Sequence, residues 1–279
     1  MARLDHFVAQ HHDQQVRRAN KRRPIQFFEQ VPGVALQPFI KRFLVVEYSS
    51  LHRDRHLPDT SPVAAFSFRG ACRIDGKQWA PQTAFTGLRE TLRAHEHCHS
   101  HAVVLATFTP TGASAFLRPP LEEFAGTTSD LAGVLDRREE LERLHEQLAG
   151  AQSHGRRTKL LEDFFLARVR VSAPDPLIAA AVAWLEHGTG SNRIDDLTRY
   201  IGLSQSALER RFRRIVGISP KKFASVVRLR RALRMRASGR DFTAVAHDAG
   251  YFDQAHFIHD FRRATGSTPE TFFRQSIPK

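Results

Sequence analysis

The chain has 279 residues, 41% hydrophobic and 25% charged, with 42 Lys and Arg against 29 Asp and Glu and a net charge of +13. That length suits two domains. No apolar run approaches a transmembrane span, no secretory h-region opens the chain, and only two cysteines, Cys72 and Cys98, are present. They allow neither a disulfide framework nor a four-thiolate zinc site, and the composition reads as a soluble, cytoplasmic protein.

Residues 1–23 are polar, rich in His and Gln, carry a charge of +4 and end in Lys21-Arg22-Arg23. They read as a flexible basic arm, either a solvated tail or a segment that touches a polyanion. Residues 24–172 form the next unit. Phe43–Tyr48, Val63–Phe68 and His101–Phe108 are short alternating or apolar runs, separated by turn signals such as Asp75-Gly76-Lys77 and Thr111-Gly112. This pattern predicts a small β-barrel or sandwich. From about Leu131 the period becomes helical. Leu135, Leu141, Leu144 and Leu148 predict one helix, and Leu160, Leu161, Phe164, Phe165 and Val169 a second that closes the domain.

One segment of this domain stands apart. His95, His97, His99 and His101 alternate with other residues, which on a strand would put four imidazoles on one face and Cys98 on the other. Neighbouring pairs of them could chelate a metal ion, or the cluster could answer to pH. An exposed edge strand without an ion is the other reading. Four such residues are spread over too long a span for all to bind one ion.

Ser172-Ala173-Pro174-Asp175-Pro176 reads as a linker, and residues 175–276 as an all-helical domain; residues 175–279 carry a charge of +8, against +1 for residues 24–174. Predicted helices are Leu177–His187, Ile194–Ile201, Ser204–Val216, Pro220–Ser238, Phe242–Ala249, one ending near Thr265, and a last one opened by Thr268-Pro269. Gly188, Gly202, Gly239 and Gly250 are their stops, and Ser219-Pro220 is a start.

This part repeats itself. At an offset of 49 residues FRRIVGISPKKF from Phe212 answers FRRATGSTPETF from Phe261, and GLSQSALERRF answers GYFDQAHFIHDF, with one extra residue in the second turn. Each copy is a short helix, a Gly-containing turn and a second helix, the grammar of a helix-turn-helix. In the first copy Ile194, Leu197, Ile201, Leu208 and Phe212 form the apolar face and leave Ser206, Glu209, Arg210 and Arg213 outward. The joining helix from Pro220 to Ser238 would be about 28 Å long at about 1.5 Å per residue, close to the ~34 Å between successive major-groove faces of B-DNA. Its basic residues Lys221, Lys222, Arg228, Arg230, Arg231, Arg234 and Arg236 are candidate phosphate contacts.

Residues 175 to 274 resemble the C-terminal domain of the AraC/XylS family of transcriptional regulators. Leu203-Ser204, Leu208, Arg210, Phe212, Gly217-Ile218-Ser219-Pro220, Arg228–Ala232, Val245-Ala246, Gly250-Tyr251, Phe257, Phe261 and Gly266–Pro269 carry the resemblance. It implies seven helices with two recognition helices in adjacent major grooves. Carried over by position, the DNA-contacting candidates are Ser204, Ser206, Glu209, Arg210 and Arg213 in the first unit and Gln254, Ala255, His256, His259 and Arg262 in the second. Arg can read guanine and Glu can accept from cytosine. His259 stands where the family often has Arg, Thr198 replaces a usual Ala, and Asp253 and Asp260 add negative charge. The expectation is therefore that Arg210 and its neighbours dominate specificity.

The first domain is similar, through Pro38-Phe39-Ile40, Leu57-Pro58-Asp59 and Phe108–Gly112, to the cupin-like sensor domains of this family. The fold class implied is α+β: a cupin-like β-barrel with trailing helices, serving as sensor or dimerisation domain, then the double helix-turn-helix domain. Implied partners are double-stranded DNA, an unidentified small-molecule effector, a second copy of the chain and, for an activator, RNA polymerase, at the bacterial nucleoid. Two other functions are open: a metal-dependent cupin enzyme using His97 and His99 with a DNA-binding appendage, and an architectural DNA binder without sequence preference. No nucleotide-binding Gly loop or nucleophile elbow is present, and the chain reads as a non-enzyme without a resident cofactor.

Overall fold

The computed structural model describes residues 25–188 and 193–276. The basic arm of residues 1–23 lies outside them. A β-rich N-terminal domain precedes a helical C-terminal one.

Ten strands form two antiparallel sheets among the described residues. The six-stranded sheet has the order β1 (Ile25–Gln30), β2 (Ile40–Tyr48), β9 (Ala102–Phe108), β4 (Val63–Arg69), β7 (Thr83–Thr86), β10 (Thr128–Asp130). The four-stranded sheet runs β3 (His52–His56), β8 (Arg93–His97), β5 (Cys72–Ile74), β6 (Gln78–Trp79). The Asp75-Gly76 turn that the sequence predicts joins β5 to β6, with φ of 51° and 66° at its two central residues. These values suit the twist of a tight hairpin.

The expected closed barrel is not found. β1 and β10 stay at opposite edges of one sheet, and β3 and β6 at the edges of the other. The residues that alternation would place inside a barrel, Phe43, Val45, Phe66, Val104 and Phe108, are covered by helices instead. After two 3-10 turns (Ala113–Ala115 and Leu121–Phe124) come α1 (Leu131–Leu135), α2 (Arg138–Gly150) and α3 (His154–Leu166). Phe165 of α3 meets Phe66, Phe108 and Phe116 edge-on, with ring centroids 6.1, 5.6 and 5.1 Å apart. Such pairs add about 0.5–1.5 kcal/mol each beyond the area they bury. The stripe Leu141, Leu144 and Leu148 of α2 joins the same core.

The C-terminal domain holds α4 (Pro176–His187), α5 (Ile194–Ile201), α6 (Gln205–Val216), α7 (Pro220–Ala237), α8 (Phe242–Ala249), α9 (Gln254–Thr265) and α10 (Pro269–Ser276). The described residues hold ten α-helices in all, seven of them in this domain and three in the N-terminal domain, where periodicity predicts two. Local chemistry sets their ends. Asp175 caps α4 by accepting from the N–H groups of Leu177 and Ile178, with Pro176 in the first turn. Ser219 does the same for α7 through Lys222 N–H, ahead of Pro220. Gly202, Gly217, Gly250 and Gly266 end α5, α6, α8 and α9 in the left-handed region that an L side chain resists.

The repeat is visible in the packing. Phe212 of α6 meets Phe223 of α7 edge-on at 5.6 Å and 75°, and Phe261 of α9 meets Phe272 of α10 at 5.4 Å and 77°. The first pair sits in a core built from α4 to α7, the second in a separate core built from α7 to α10. Phe261 is fully buried. Phe261→Ala should cost about 3–5 kcal/mol of stability, read as a lowered denaturant midpoint; a loss below 1 kcal/mol would mean that this core is not the one described.

Candidate nucleic-acid interface

Each helix-turn-helix buries one face of its second helix and exposes the other. In the first unit Leu208, Phe212 and Val216 of α6 are buried, whereas Ser204, Ser206 and Arg210 are exposed. Ser204 uses its hydroxyl to cap α6, accepting from Ala207 N–H at 3.3 Å. Glu209 is bound within the helix, because Arg213 donates to its Oε1 from Nη2 at 2.7 Å and from Nε at 3.2 Å. Both are half-buried. Arg210 is exposed with no partner among the described residues. Of the first set it is the side chain most available to a base edge.

The second unit is built differently. Its turn, Gly250 to Asp253, is one residue longer than Gly202 to Ser204. Asp253 is the cap of α9, accepting from His256 N–H at 2.7 Å. Its charge thus complements the helix N-terminus. Gln254, Ala255, His259 and Arg262 are exposed. His256 is half-buried; its Nδ1 accepts from Phe252 N–H at 3.3 Å and its Nε2 lies 3.5 Å from Asp260. It shapes the turn as well as facing outward.

Asp260 does not add surface negative charge, contrary to expectation. It is 8% exposed, accepts from Ser225 Oγ at 3.2 Å, and lies 3.2 Å from Arg263 and 3.8 Å from Arg228. It ties α9 to α7. A buried carboxylate survives there because cations and donors surround it. Thr198, unusual for its position, donates to Asp195 C=O at 2.8 Å within α5.

Helix α7 spans 18 residues, about 27 Å at about 1.5 Å per residue. Its basic side chains are mostly engaged inside the protein rather than free for phosphate. Lys222 pairs with Glu90 at 2.6 Å, Arg230 pairs with Asp59, and Arg228 pairs with Asp260. Arg231 donates to the carbonyls of Glu186 and Gly188, and Arg236 lies 4.7 Å over the Phe242 ring. Lys221 is exposed.

Two of these pairs cross between the domains. The N-terminal segment from Gly87 to Leu92 is set against both helix-turn-helix units. Leu88 is 2% exposed within the core of the first unit, and Leu92 N–H donates to Ala264 C=O of the second at 2.7 Å. Glu90, between the two in sequence, lies against Lys222 and Ser225 of α7. At the C-terminal end of α6 the Gly217 position would bring a Cβ within 3.0 Å of Leu121 C=O. Sequence reasoning missed this seam, and it missed three further exposed groups near the reading faces: Arg214, Tyr200 and the 92%-exposed Phe252 in the second turn. The extra residue in that turn was the available signal for Phe252.

Comparisons with known proteins agree with this geometry. A helix-turn-helix domain family matches residues 197–275. The raffinose operon transcriptional regulatory protein RafR of Pediococcus pentosaceus is 34% identical over 100 residues, 35% of this chain and 35% of that protein. The HTH-type transcriptional activator RhaS of Pectobacterium carotovorum subsp. carotovorum (strain PC1) is 25% identical over 104 residues, 37% of each chain. The chain thus covers little more than a third of the length of these curated relatives. ToxT from Vibrio cholerae O395 aligns over 92% of this chain and 100% of its own at 9% identity, with a TM-score of 0.45, a likeness too loose to fix the arrangement of the N-terminal strands. No helix among the described residues is long and apolar enough to cross a membrane. With two helix-turn-helix units on one connecting helix, the C-terminal domain carries the helix-turn-helix domain of that family model and is similar over its length to these transcriptional regulators.

Proposed function

We propose that this chain is a sequence-specific DNA-binding transcriptional regulator, and that its N-terminal domain controls how the two helix-turn-helix units are held. The observation that carries the reading is the pair α6 and α9. Each is anchored by a buried aromatic, and each shows an exposed polar face: Ser206 and Arg210 on one, Gln254, His259 and Arg262 on the other. Two unlike faces joined by one helix suit two unlike half-sites on one side of a duplex. Arg210, bidentate toward guanine, is assigned the dominant role in specificity.

The seam supports the regulatory half of the reading. Glu90 touches the start of α7 and Leu92 the end of α9, so the segment contacts the joining helix and the second unit together. A cytoplasmic effector, a second copy of the chain or RNA polymerase would act by shifting this seam. Mapping of bound sites in the genome separates activation, with RNA polymerase as partner, from repression. The enzymatic alternative needs His97 and His99 to share a site, but His97 is buried and His99 exposed. Turnover by the full chain would favour it. An architectural binder would lose its DNA equally to any competitor, whereas a regulator retains its operator.

Binding to the operator should weaken steeply and linearly on a log–log plot against salt, because neutralised phosphates release counterions; an affinity independent of salt contradicts the proposal. Arg210→Ala should lower operator affinity at least about tenfold and relax preference at one base position. If it leaves preference intact while His259→Ala abolishes it, the ranking of the two units is reversed. Glu90→Lys opposes Lys222 with like charge. It should lower affinity for DNA carrying both half-sites several-fold and leave a single half-site unaffected, as measured by fluorescence anisotropy; an equal effect on both would assign the seam no part in DNA binding.

A further inference from the structure

The histidine-rich segment does not form the single four-imidazole face that its spacing suggests. β8 stops at His97, Ser100 turns the chain with a φ of 59°, and β9 starts at Ala102. His99 is left exposed. His101 returns to face His97, their Nδ1 atoms 2.8 Å apart. What fills the place opposite His95 and His97 comes from a different strand. β3 pairs antiparallel with β8 so that Asp54 lies across from His95 and His52 across from His97. Residues two apart on a strand share a face. His56 therefore joins Asp54, His95 and His97 on one side of the ribbon.

These four residues converge. Each offers one ligand atom, and the four atoms all lie within 4.8 Å of one another. His56 Nε2 stands 3.0 Å from Asp54 Oδ1, and His97 Nε2 stands 3.4 Å from Asp54 Oδ2. His97 is 4% exposed, yet its Nε2 has no aligned hydrogen bond among the described residues. A buried polar nitrogen left so costs stability unless something else satisfies it. Its other nitrogen is accounted for: Nδ1 meets His101, whose Nε2 lies 3.1 Å from Ser67 Oγ. Tyr48 stacks on the His97 ring at 3.9 Å and 12°, fixing its plane. A partner on Nδ1 fixes the ring and leaves Nε2 to ligate, as outer-shell partners do for metal-bound imidazoles.

We propose that Asp54, His56, His95 and His97 form a binding site for a divalent first-row transition ion, zinc being the one that best fits the set. Three imidazole nitrogens and one carboxylate oxygen suit its four-coordinate preference, whereas magnesium and calcium require more oxygen ligands. Ligands of one zinc ion lie about 2 Å from it, so atoms already within 4.8 Å of one another need only small side-chain rotations to meet around it. Burial first, then His56, holds the His95 imidazole neutral down to about 2, the form that ligates. Burial would raise the Asp54 carboxyl, but His56 and His97 overcome it and hold it well below the usual carboxylate range. Cys72, on the neighbouring strand β5, is not part of the set; burial, then Asp54, pushes its thiol up to about 12.

The location gives the site a consequence. His56 C=O accepts from Arg89 Nη2 at 3.2 Å, and Arg89 belongs to the seam segment. Three residues beyond His56, Asp59 pairs with Arg230 of α7, and Thr60 donates to Glu186 of α4 at 3.3 Å. An ion that fixes the end of β3 fixes the strand that leads into the contact between domains. The site itself rests on no part of the DNA-binding reading.

The test uses the full chain, stripped of metal by chelation and dialysis. Zinc is titrated by calorimetry, and cobalt serves as an optical probe of four-coordinate geometry. The expected result is one ion bound at micromolar or lower concentration, with a zinc-dependent rise in Tm. His95→Ala and His56→Ala should each weaken binding at least about tenfold, and His99→Ala should leave it unchanged. The His56 side chain is 45% exposed, so its removal leaves the fold intact and keeps the test valid if a buried variant unfolds. Absence of zinc binding to the folded wild-type chain overturns the proposal. So does binding that His56→Ala and His95→Ala leave unaltered, or that His99→Ala weakens as much as they do.

Discussion

Phe223 near the start of α7 is fully buried against Phe212 of α6, and the repeat places Phe272 of α10 against Phe261 of α9 in the same edge-on way. The presentation of either reading face depends on these two contacts. A recognition helix has to meet the groove at a fixed angle, and an exposed helix of 12 residues cannot hold such an angle by propensity alone. The aromatic at its centre sets its rotation. The glycine after it ends it, and the capped Ser-Pro or Thr-Pro start of the next helix sets its exit. Once rotation is fixed, the outward residues are decided by the helical period, and they are free to differ between copies.

The same economy governs charge. A basic domain invites the view that every Arg and Lys is there for phosphate, and α7 shows otherwise. Arg228 with Asp260, Arg230 with Asp59 and Lys222 with Glu90 hold the units to each other and to the N-terminal domain. The two pairs that cross between the domains, Lys222 with Glu90 and Arg230 with Asp59, are partly exposed, and such pairs contribute about 0–1 kcal/mol each, so the seam is weak enough to be shifted by a ligand and specific enough to fix a register. Its apolar part, Leu88 in the first helical core, supplies what the charges do not. The exposed cations Arg210, Arg214, Lys221 and Arg262 are among those left for nucleic acid.

Much of the helical domain was legible because its signals are local. Gly202, Gly217, Gly250 and Gly266 end helices through their own backbone freedom, and Ser219-Pro220 starts one through its own hydroxyl and ring. Strand positions were legible for the same reason, as Val63 to Phe68 shows. What pairs over long distances was not. Nothing near Lys222 announces Glu90, and nothing near His97 announces Asp54 and His56 on another strand. The barrel expectation failed because alternation says which side of a strand is apolar but not whether strands or the phenylalanines of α3 cover it. The histidine expectation failed at one residue, Ser100, whose left-handed φ breaks a strand that the pattern continues. The reading of Asp260 failed because its burial against Ser225 and Arg228 of α7 leaves no trace in its own neighbourhood.

The central claim is that two unlike helix-turn-helix units, held a fixed distance apart by α7, read one stretch of DNA together. The most direct measurement selects bound duplexes from a random pool with the full chain, then inserts about five base pairs, half of the ~10–10.5 bp helical turn, between the two halves of the selected site. The account predicts a selected sequence with two dissimilar halves and loss of selective binding on insertion, because α9 then faces the opposite side of the duplex. A pool that yields no common sequence, or a site that tolerates the insertion unchanged, would contradict it.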